Sequence, residues 1–177
     1  MNKRILASIS MLIYIVISCG DVKESADESQ LIEEKIDSLL GMMTLEEKIG
    51  QLQQLSISRD IHDSIYVMVR QGKIGSFLNA RTLEIRNQMQ QIAVEESRLG
   101  IPIIFGRDVI HGYRTIFPIP LGQAASWNPG LVERAASVAA KEASSDGIDW
   151  TFAPMIDVAR DPRWGRIAEG CGEDPYL

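Results

Sequence analysis

Short apolar segments alternate with helical patterns through the second half of this chain, and this order constrains its fold more than any other feature. The apolar segments cover residues 74–79, 101–110 and 148–158, and helical patterns lie between them at 82–98 and 128–147. Such alternation predicts parallel β-strands joined by helical crossovers. The nearly continuous apolar start of the second segment suits a sheet that is buried on both faces.

Two architectures have this order of elements, the doubly wound sheet and the (β/α)8 barrel. Long polar loops follow the second and third predicted strands, at 111–127 and 159–172. In barrels the residues that perform chemistry lie on the loops that follow the strands, so these loops favour the barrel. We therefore predict an α/β fold, a partial (β/α)8 TIM barrel that comprises about the first three βα units. Helical patterns at 31–42, 45–55 and 62–71 precede these units.

The first residues predict an export signal. Two basic residues precede an apolar run at 5–17, which is shorter than the ~20 residues that span a bilayer. We predict a signal peptide of the lipoprotein type at 1–18, a lipid attached to Cys19, and a polar tether at 19–30. The alternative is that Cys19 only happens to lie near a cleavage site. On the first interpretation the protein is exported in a bacterium, where it is periplasmic or anchored to a membrane through Cys19.

The charge of the chain argues against nucleic acid as a partner. Its 177 residues include 18 Lys and Arg against 24 Asp and Glu, which gives a formal net charge of −6. No basic run is long enough to bind a polyanion. Two Cys and two His leave little material for a metal site, and Gly170 and Gly172 lack the third glycine of a dinucleotide-binding motif. We therefore expect no cofactor, no metal and no nucleic acid.

Asp108 lies near the end of the second predicted strand, where a carboxylate needs hydrogen-bond donors. A carboxylate can accept hydrogen bonds from two neighbouring sugar hydroxyls at once. Arg114 follows in the loop and is a plausible complement that donates to the same or to adjacent hydroxyls. The alternative is that Asp108 pairs with a nearby arginine and only holds the loop.

The loop after the third predicted strand concentrates charge. Residues 160–174 include three Arg and four Asp or Glu. We predict that ion pairs within the loop shape it, and that these involve Arg160, Asp161, Arg163 and Glu169. Trp164 could stack on a sugar ring, although packing beneath the loop explains it equally well.

Two long segments of this sequence resemble one enzyme family. FGRDVIHGYRTIFPIPLG and APMIDVARDPRWGRIAEGCGEDPYL are similar to the N-terminal barrel domain of glycoside hydrolase family 3, in particular to β-glucosidases of the periplasmic type, and MTLEEKIGQL resembles the opening helix of that domain. The resemblance covers residues from about 33 to 177. Two positions depart from the family pattern: Arg107 stands where an uncharged residue is frequent, and Cys171 stands where an aromatic residue is usual.

The resemblance implies a retaining, exo-acting β-glycosidase whose substrate is a small β-glucoside or an oligosaccharide. By position it implies that Asp108 accepts hydrogen bonds from hydroxyls of the sugar at the non-reducing end. It implies that Arg114 and Arg166, the last arginine of RDPRWGR, donate hydrogen bonds to that sugar. It does not separate a glucosidase from a xylosidase.

No catalytic residue is assigned to this sequence. Retaining hydrolysis needs a nucleophilic carboxylate and an acid/base carboxyl group. The resemblance implies that the nucleophilic Asp lies further along the barrel and that the acid/base Glu usually belongs to a following domain; Asp157, Asp161 and Glu169 match neither position. A complete barrel takes about 250 residues. We therefore expect residues 31–177 to be the N-terminal part of a truncated barrel domain that is inactive alone.

Two other functions stay open on the sequence alone. The first is a non-catalytic sugar-binding lipoprotein built on a degraded barrel, which the sequence downstream of these residues would reveal. The second is an unrelated α/β lipoprotein that binds solutes through a doubly wound sheet. That protein would not bring Asp108 and Arg166 into one pocket.

Overall fold

A computed structural model describes residues 20–57 and 61–177 of this chain. Contacts divide the chain into two compact units, one up to Thr44 and the other from Leu45 onward.

The first unit contains helix α1 (Gly20–Met42). This confirms the helix predicted at 31–42. The helix also covers residues 20–30, most of the segment that was predicted as a polar tether. The predicted signal peptide at 1–18 and the predicted lipid attachment at Cys19 lie outside the described residues.

The second unit alternates strands with helices. Its elements are α2 (Leu45–Gln51), β1 (Gln54–Ser56), α3 (Asp63–Arg70), β2 (Ser76–Leu78), α4 (Leu83–Gln91), β3 (Ile104–Arg107), α5 (Pro120–Ala124), α6 (Pro129–Ser145) and β4 (Trp150–Thr151). A π-helical turn (Ile92–Glu96) extends α4, and two 3-10 turns (Pro162–Trp164 and Ile167–Glu169) follow β4. Within the described residues the strands form one parallel sheet in the order β1-β2-β3-β4. The predicted α/β fold with parallel strands is therefore confirmed.

The hydrophobic core lies between the sheet and the helices. Leu55, Phe77 and Phe105 are aligned across β1, β2 and β3, and the buried rings of Phe77 and Phe105 stack with centroids 6.3 Å apart. They belong to one cluster with buried residues of the π-helical turn and of α6. Ile104 is on the opposite face because successive strand residues alternate, and it is 48% exposed. The helices therefore pack on the face that carries Phe77 and Phe105, whereas on the opposite face Ile104 is half-exposed and its neighbour Ser76 is buried.

The predicted helix starts are confirmed by side-chain caps. The Asn128 side chain accepts a hydrogen bond from the amide of Leu131, and Pro129 occupies the first turn of α6. Thr82 caps α4 in the same way, by accepting from the amide of Ile85. Local sequence is sufficient to fix these helix starts, since the capping residue and the helix are adjacent in the chain.

Strand β1 was not predicted. The pattern at 45–55 predicted one helix, but α2 ends at Gln51 and residues 54–56 pair with β2. The chain turns tightly here: a Cβ atom on Gly50 would lie 2.2 Å from the carbonyl oxygen of Gly72, and one on Gly75 would lie 2.2 Å from that of Gln51. Hydrogen bonds to a distant strand therefore override the local helical pattern, and the sheet has one strand more than the three predicted.

The last strand is much shorter than predicted. An apolar pattern at 148–158 predicted a long strand, but only Trp150 and Thr151 pair with β3. Pro154 has no amide hydrogen to donate to a neighbouring strand. Residues 155–158 instead belong to the segment that leads into the charged loop.

Candidate functional site

Two loops at one edge of the sheet hold the predicted site residues. Asp108 directly follows β3, and Arg166 lies in the segment that follows β4. Because β3 and β4 are parallel neighbours, the segments that leave their carboxyl ends emerge side by side. This edge is where barrel enzymes hold their substrates.

Arg166 forms hydrogen bonds with one carboxylate, that of Glu169, and is influenced by the negative charges of two others. Its Nε and Nη2 atoms donate to Glu169, with Nη2 2.6 Å from Oε2. This hydrogen bond raises the pKa of Arg166, and the negative charges of Asp157 and Asp108 raise it further. Both Asp108 and Arg166 are exposed to solvent. Asp108 and Arg166 thus lie on segments that leave the same edge of the sheet, and both are accessible. That they bind one sugar stays a prediction.

Arg114 forms its contacts with the C-terminal end of α6. Its Nη2 atom lies 3.1 Å from Oδ1 of Asp146, the residue that caps the C-terminus of α6. Its backbone amide donates to Glu142 over 2.8 Å. The guanidinium stays largely exposed, with 67% of the side-chain surface accessible. That Arg114 also donates to the sugar stays a prediction.

The loop after β3 forms a closed turn between His111 and Phe117, here called the β3 turn. The amide of Phe117 donates to the carbonyl of His111 over 2.8 Å, and Nδ1 of His111 lies 2.9 Å from the carbonyl oxygen of Phe117. Gly112 bridges to Ile116 inside the turn. A Cβ atom on Gly112 would lie 2.0 Å from the carbonyl oxygen of Thr115, and φ there is 126°, so only glycine suits this position.

Two acids at the end of α6 hold the β3 turn, and sequence reasoning missed both. Asp146 accepts hydrogen bonds from Tyr113, Arg114 and Arg86. Glu142 accepts from the amide and hydroxyl of Thr115 over 2.8 and 2.7 Å, besides the amide of Arg114. A signal was present, since carboxylates near a helix C-terminus oppose the helix dipole and need partners from elsewhere.

The electrostatics agree with these contacts. The Tyr113 hydroxyl, then the charge of Arg86, hold the pKa of Asp146 below its ordinary value, against an opposing effect of burial. The hydroxyl and amide of Thr115 lower the pKa of Glu142. Burial, then the hydrogen bond to Asp146, raise the pKa of Tyr113. At neutral pH both acids are therefore ionised and the Tyr113 phenol is protonated, as its role of donor requires.

The loop after β4 is shaped by short-range ion pairs. Arg163 donates to Asp161 through its amide over 2.9 Å and through its guanidinium. Arg166 pairs with Glu169 in the next turn. Ion pairs within the loop are confirmed for Asp161 with Arg163 and for Glu169, whose partner is Arg166. Arg160 was predicted to join them, but it forms no ion pair with the described residues. Trp164 is 43% exposed, so its ring is accessible from solvent.

The two departures from the family pattern have structural counterparts. The Arg107 guanidinium carbon lies 4.9 Å from the centre of the Tyr113 ring, a cation–π contact. Cys171 lines an apolar cavity of about 230 Å³, together with alanines of α6 and the residues around Pro154. A small residue thus lines space at the position where an aromatic residue was expected from the resemblance.

The described residues show no metal site and no membrane-spanning helix. Across 20–57 and 61–177, no three His, Cys, Asp or Glu side chains are grouped as a metal ion would require. Helices in the same ranges are too short or too polar to cross a bilayer.

Comparison with known sequences identifies the family. Residues 44–177 match the family model described as the glycosyl hydrolase family 3 N terminal domain. The chain is 48% identical over 143 residues to a periplasmic beta-glucosidase of Salmonella typhimurium, a match that covers 80% of this chain and 19% of that protein. It is 33% identical over 171 residues to a lysosomal beta glucosidase of Dictyostelium discoideum, with coverage of 80% and 21%. The chain thus spans about a fifth of the length of the curated relatives it matches.

Solved structures agree. The beta-glucosidase of Listeria innocua in complex with gluconolactone superposes with a TM-score of 0.72 at 39% identity, over 81% of this chain and 22% of that one. The same enzyme in complex with glucose gives a TM-score of 0.71 at 39% identity, over 81% and 22%. The N-terminal domain of these enzymes is a TIM barrel, which confirms the predicted partial (β/α)8 fold. The chain therefore belongs to glycosyl hydrolase family 3.

Proposed function

We propose that the protein to which these residues belong is a retaining, exo-acting β-glucosidase that removes terminal β-D-glucosyl residues from the non-reducing end of oligosaccharides. Family membership supports a glycoside hydrolase, and the Salmonella relative, 48% identical, is named a beta-glucosidase. The Listeria relative binds glucose and gluconolactone. The observation that carries the proposal is that, in a chain of this family, Asp108 and Arg166 lie on the segments that follow the parallel neighbours β3 and β4.

In this proposal Asp108 and Arg166 hold the terminal sugar. The Asp108 carboxylate accepts hydrogen bonds from two neighbouring hydroxyls, and the Arg166 guanidinium donates to hydroxyls of the same ring. Arg114 donates as a third contact, on the exposed side of its pair with Asp146. Fixing the ring in this way aligns the anomeric carbon with the groups that attack it, and such alignment can supply several kcal/mol of the rate enhancement.

We assign neither catalytic carboxyl group to this chain. A retaining mechanism needs a nucleophile and an acid/base about 5–5.5 Å apart. We propose that both come from parts of the protein beyond these residues, because the chain spans only about a fifth of its relatives. The 177-residue chain alone should then hydrolyse no β-glucoside.

We further propose that the protein is exported and attached to a membrane by a lipid on Cys19. The apolar run at 5–17 and the position of Cys19 after it support the proposal. The Salmonella relative is described as periplasmic, which agrees with export.

The test of the function is the hydrolysis of an aryl β-glucoside by the complete protein. Asp108→Ala should lower kcat/KM at least about 100-fold, because the sugar loses its charged acceptor. Glu96→Gln is the matched control: it removes the carboxylate of an exposed ion pair with Arg70, away from the strand ends, and should leave kcat/KM unchanged. An unchanged kcat/KM for Asp108→Ala contradicts the assigned role, and turnover by the 177-residue chain contradicts the placement of the catalytic pair.

A further inference from the structure

We infer that Asp146 is a positioning residue for Asp108 and that it acts through Tyr113 and Arg107. The inference rests on the proposed function, because it explains how the sugar-binding carboxylate is directed into the site. Asp146 lies at the end of α6 and Asp108 lies directly after β3. One contact anchors Asp146, and two more lead from it to Arg107, the residue before Asp108.

The first contact anchors Asp146 itself. Arg86 of α4 is only 2% exposed, and its Nη2 atom donates to Asp146 Oδ2 over 2.9 Å while Nη1 donates to the carbonyl of Ala80 over 2.6 Å. Its Nε atom has no hydrogen-bond partner in the part of the chain that the structure describes. A buried cation that already lacks one partner depends strongly on its remaining carboxylate. Asp146 is therefore held in one place from within the domain.

The second contact transmits that position to the β3 turn. The Tyr113 hydroxyl donates to Asp146, and the Tyr113 side chain packs against the hydrophobic core. The hydrogen bond therefore fixes the hydroxyl of Tyr113, and packing against the core fixes its ring. Glu142 precedes Asp146 by one turn of α6. It also fixes the β3 turn, by accepting hydrogen bonds from the amides of Arg114 and Thr115.

The third contact sets the direction of Asp108. The Arg107 guanidinium lies over the Tyr113 ring at 4.9 Å from its centre, and in β3 Arg107 shares the face of the buried Phe105, two residues earlier. Consecutive residues of extended chain point to opposite sides. With Arg107 held on Tyr113, the Asp108 side chain should then point to the opposite face, the direction that this inference assigns to the sugar-binding carboxylate.

The test is a double-mutant cycle on the complete protein, with an aryl β-glucoside that has an activated leaving group. Tyr113→Phe removes the hydroxyl and keeps the ring under Arg107, so it should lower kcat/KM about 10-fold. Asp146→Asn should lower it more. In the Asp108→Ala background, Tyr113→Phe should change kcat/KM less than about 2-fold, because the group that it positions is gone. Glu96→Gln again serves as the control for loss of a distant carboxylate.

The cycle separates the possible failures. If Tyr113→Phe costs the same factor with and without Asp108, the network acts only on general stability and the inference is overturned. It is also overturned if Tyr113→Phe has no effect in the otherwise unchanged protein. Should Asp146→Asn not fold, Tyr113→Phe decides alone. If Asp108→Ala leaves kcat/KM unchanged, the proposed function itself fails, and the inference fails with it. If Asp108→Ala has a large effect but the effects of the two substitutions simply add in the double variant, only the inference is refuted.

Discussion

The β3 turn and the loop after β4 adjoin at the same edge of the sheet, and both contain many polar contacts. They differ in the sequence separation between the residues that form these contacts. Tyr113 and Arg114 contact Asp146, 33 and 32 residues later. In the loop after β4, Arg163 contacts Asp161 two residues earlier and Arg166 contacts Glu169 three residues later.

The difference decides what each set of contacts can do. A pair between distant residues fixes one element relative to another, and here it includes the buried Arg86. A pair between near neighbours shapes its own turn and remains exposed to solvent, where ion pairs contribute little. We therefore expect the β3 turn to depend on its ion pairs for position and the loop after β4 to depend on them much less.

The largest effect that separates the two regions should come from Asp146→Ala. This change leaves the buried guanidinium of Arg86 without its carboxylate and should lower the free energy of unfolding by about 3 kcal/mol. Urea denaturation of the complete protein measures it. The matched change in the other loop is Arg163→Ala, which also removes one member of an ion pair but at an 89% exposed side chain, and should leave the unfolding midpoint unchanged. Equal losses in the two variants would show that sequence separation and burial do not distinguish these pairs.

The second-largest effect should be a loss of stability of the β3 turn at acidic pH. The pKa of Asp146 and that of Glu142 are lowered from ordinary values of 3.8 and 4.5. Contacts that lower the pKa of a carboxyl group stabilise the folded protein at pH values above the ordinary pKa of that group. This stabilisation is lost as the pH falls through the lowered pKa of the folded protein. The double variant Asp146→Asn, Glu142→Gln should therefore show a smaller loss of unfolding free energy between about pH 5 and pH 3 than the unchanged protein. An identical pH dependence would mean that these carboxylates do not carry the acid sensitivity.

A smaller effect is expected where the two regions border one cavity. Residues of the β3 turn and Cys171 of the following loop line about 230 Å³ of mostly apolar space. An apolar cavity of roughly 150 Å³ already admits benzene, so the ring of Cys171→Phe has room. We expect stabilisation of about 1 kcal/mol, the usual range for filling a cavity. Cys171→Ser adds no volume and is the control, and a destabilised Phe variant would show that the space is not open to a ring.

Sequence reasoning succeeded where structure is decided locally and failed where it is decided by distant contacts. Helix α6 follows from Asn128 and Pro129, which adjoin it, and the ion pairs of Asp161, Arg163 and Glu169 lie within a few residues of one another. Strand β1 exists only because β2 pairs with it.

Asp146 illustrates the same limit within the site. Its partners Arg86 and Tyr113 lie on two different elements, and no spacing in the sequence brings the three residues together. Asp108 and Arg166 were found through the family motifs that surround them. That the two residues follow neighbouring strands at one edge of the sheet is visible only once β3 and β4 are paired.

The most direct test of the account is a crystal structure of the complete protein with glucose bound. We predict that the Asp108 carboxylate accepts hydrogen bonds from two adjacent hydroxyls of the sugar at about 2.7 Å, with the Arg166 guanidinium donating to the same ring. Glucose bound out of reach of Asp108, or Asp108 and Arg166 directed to separate cavities, would contradict it.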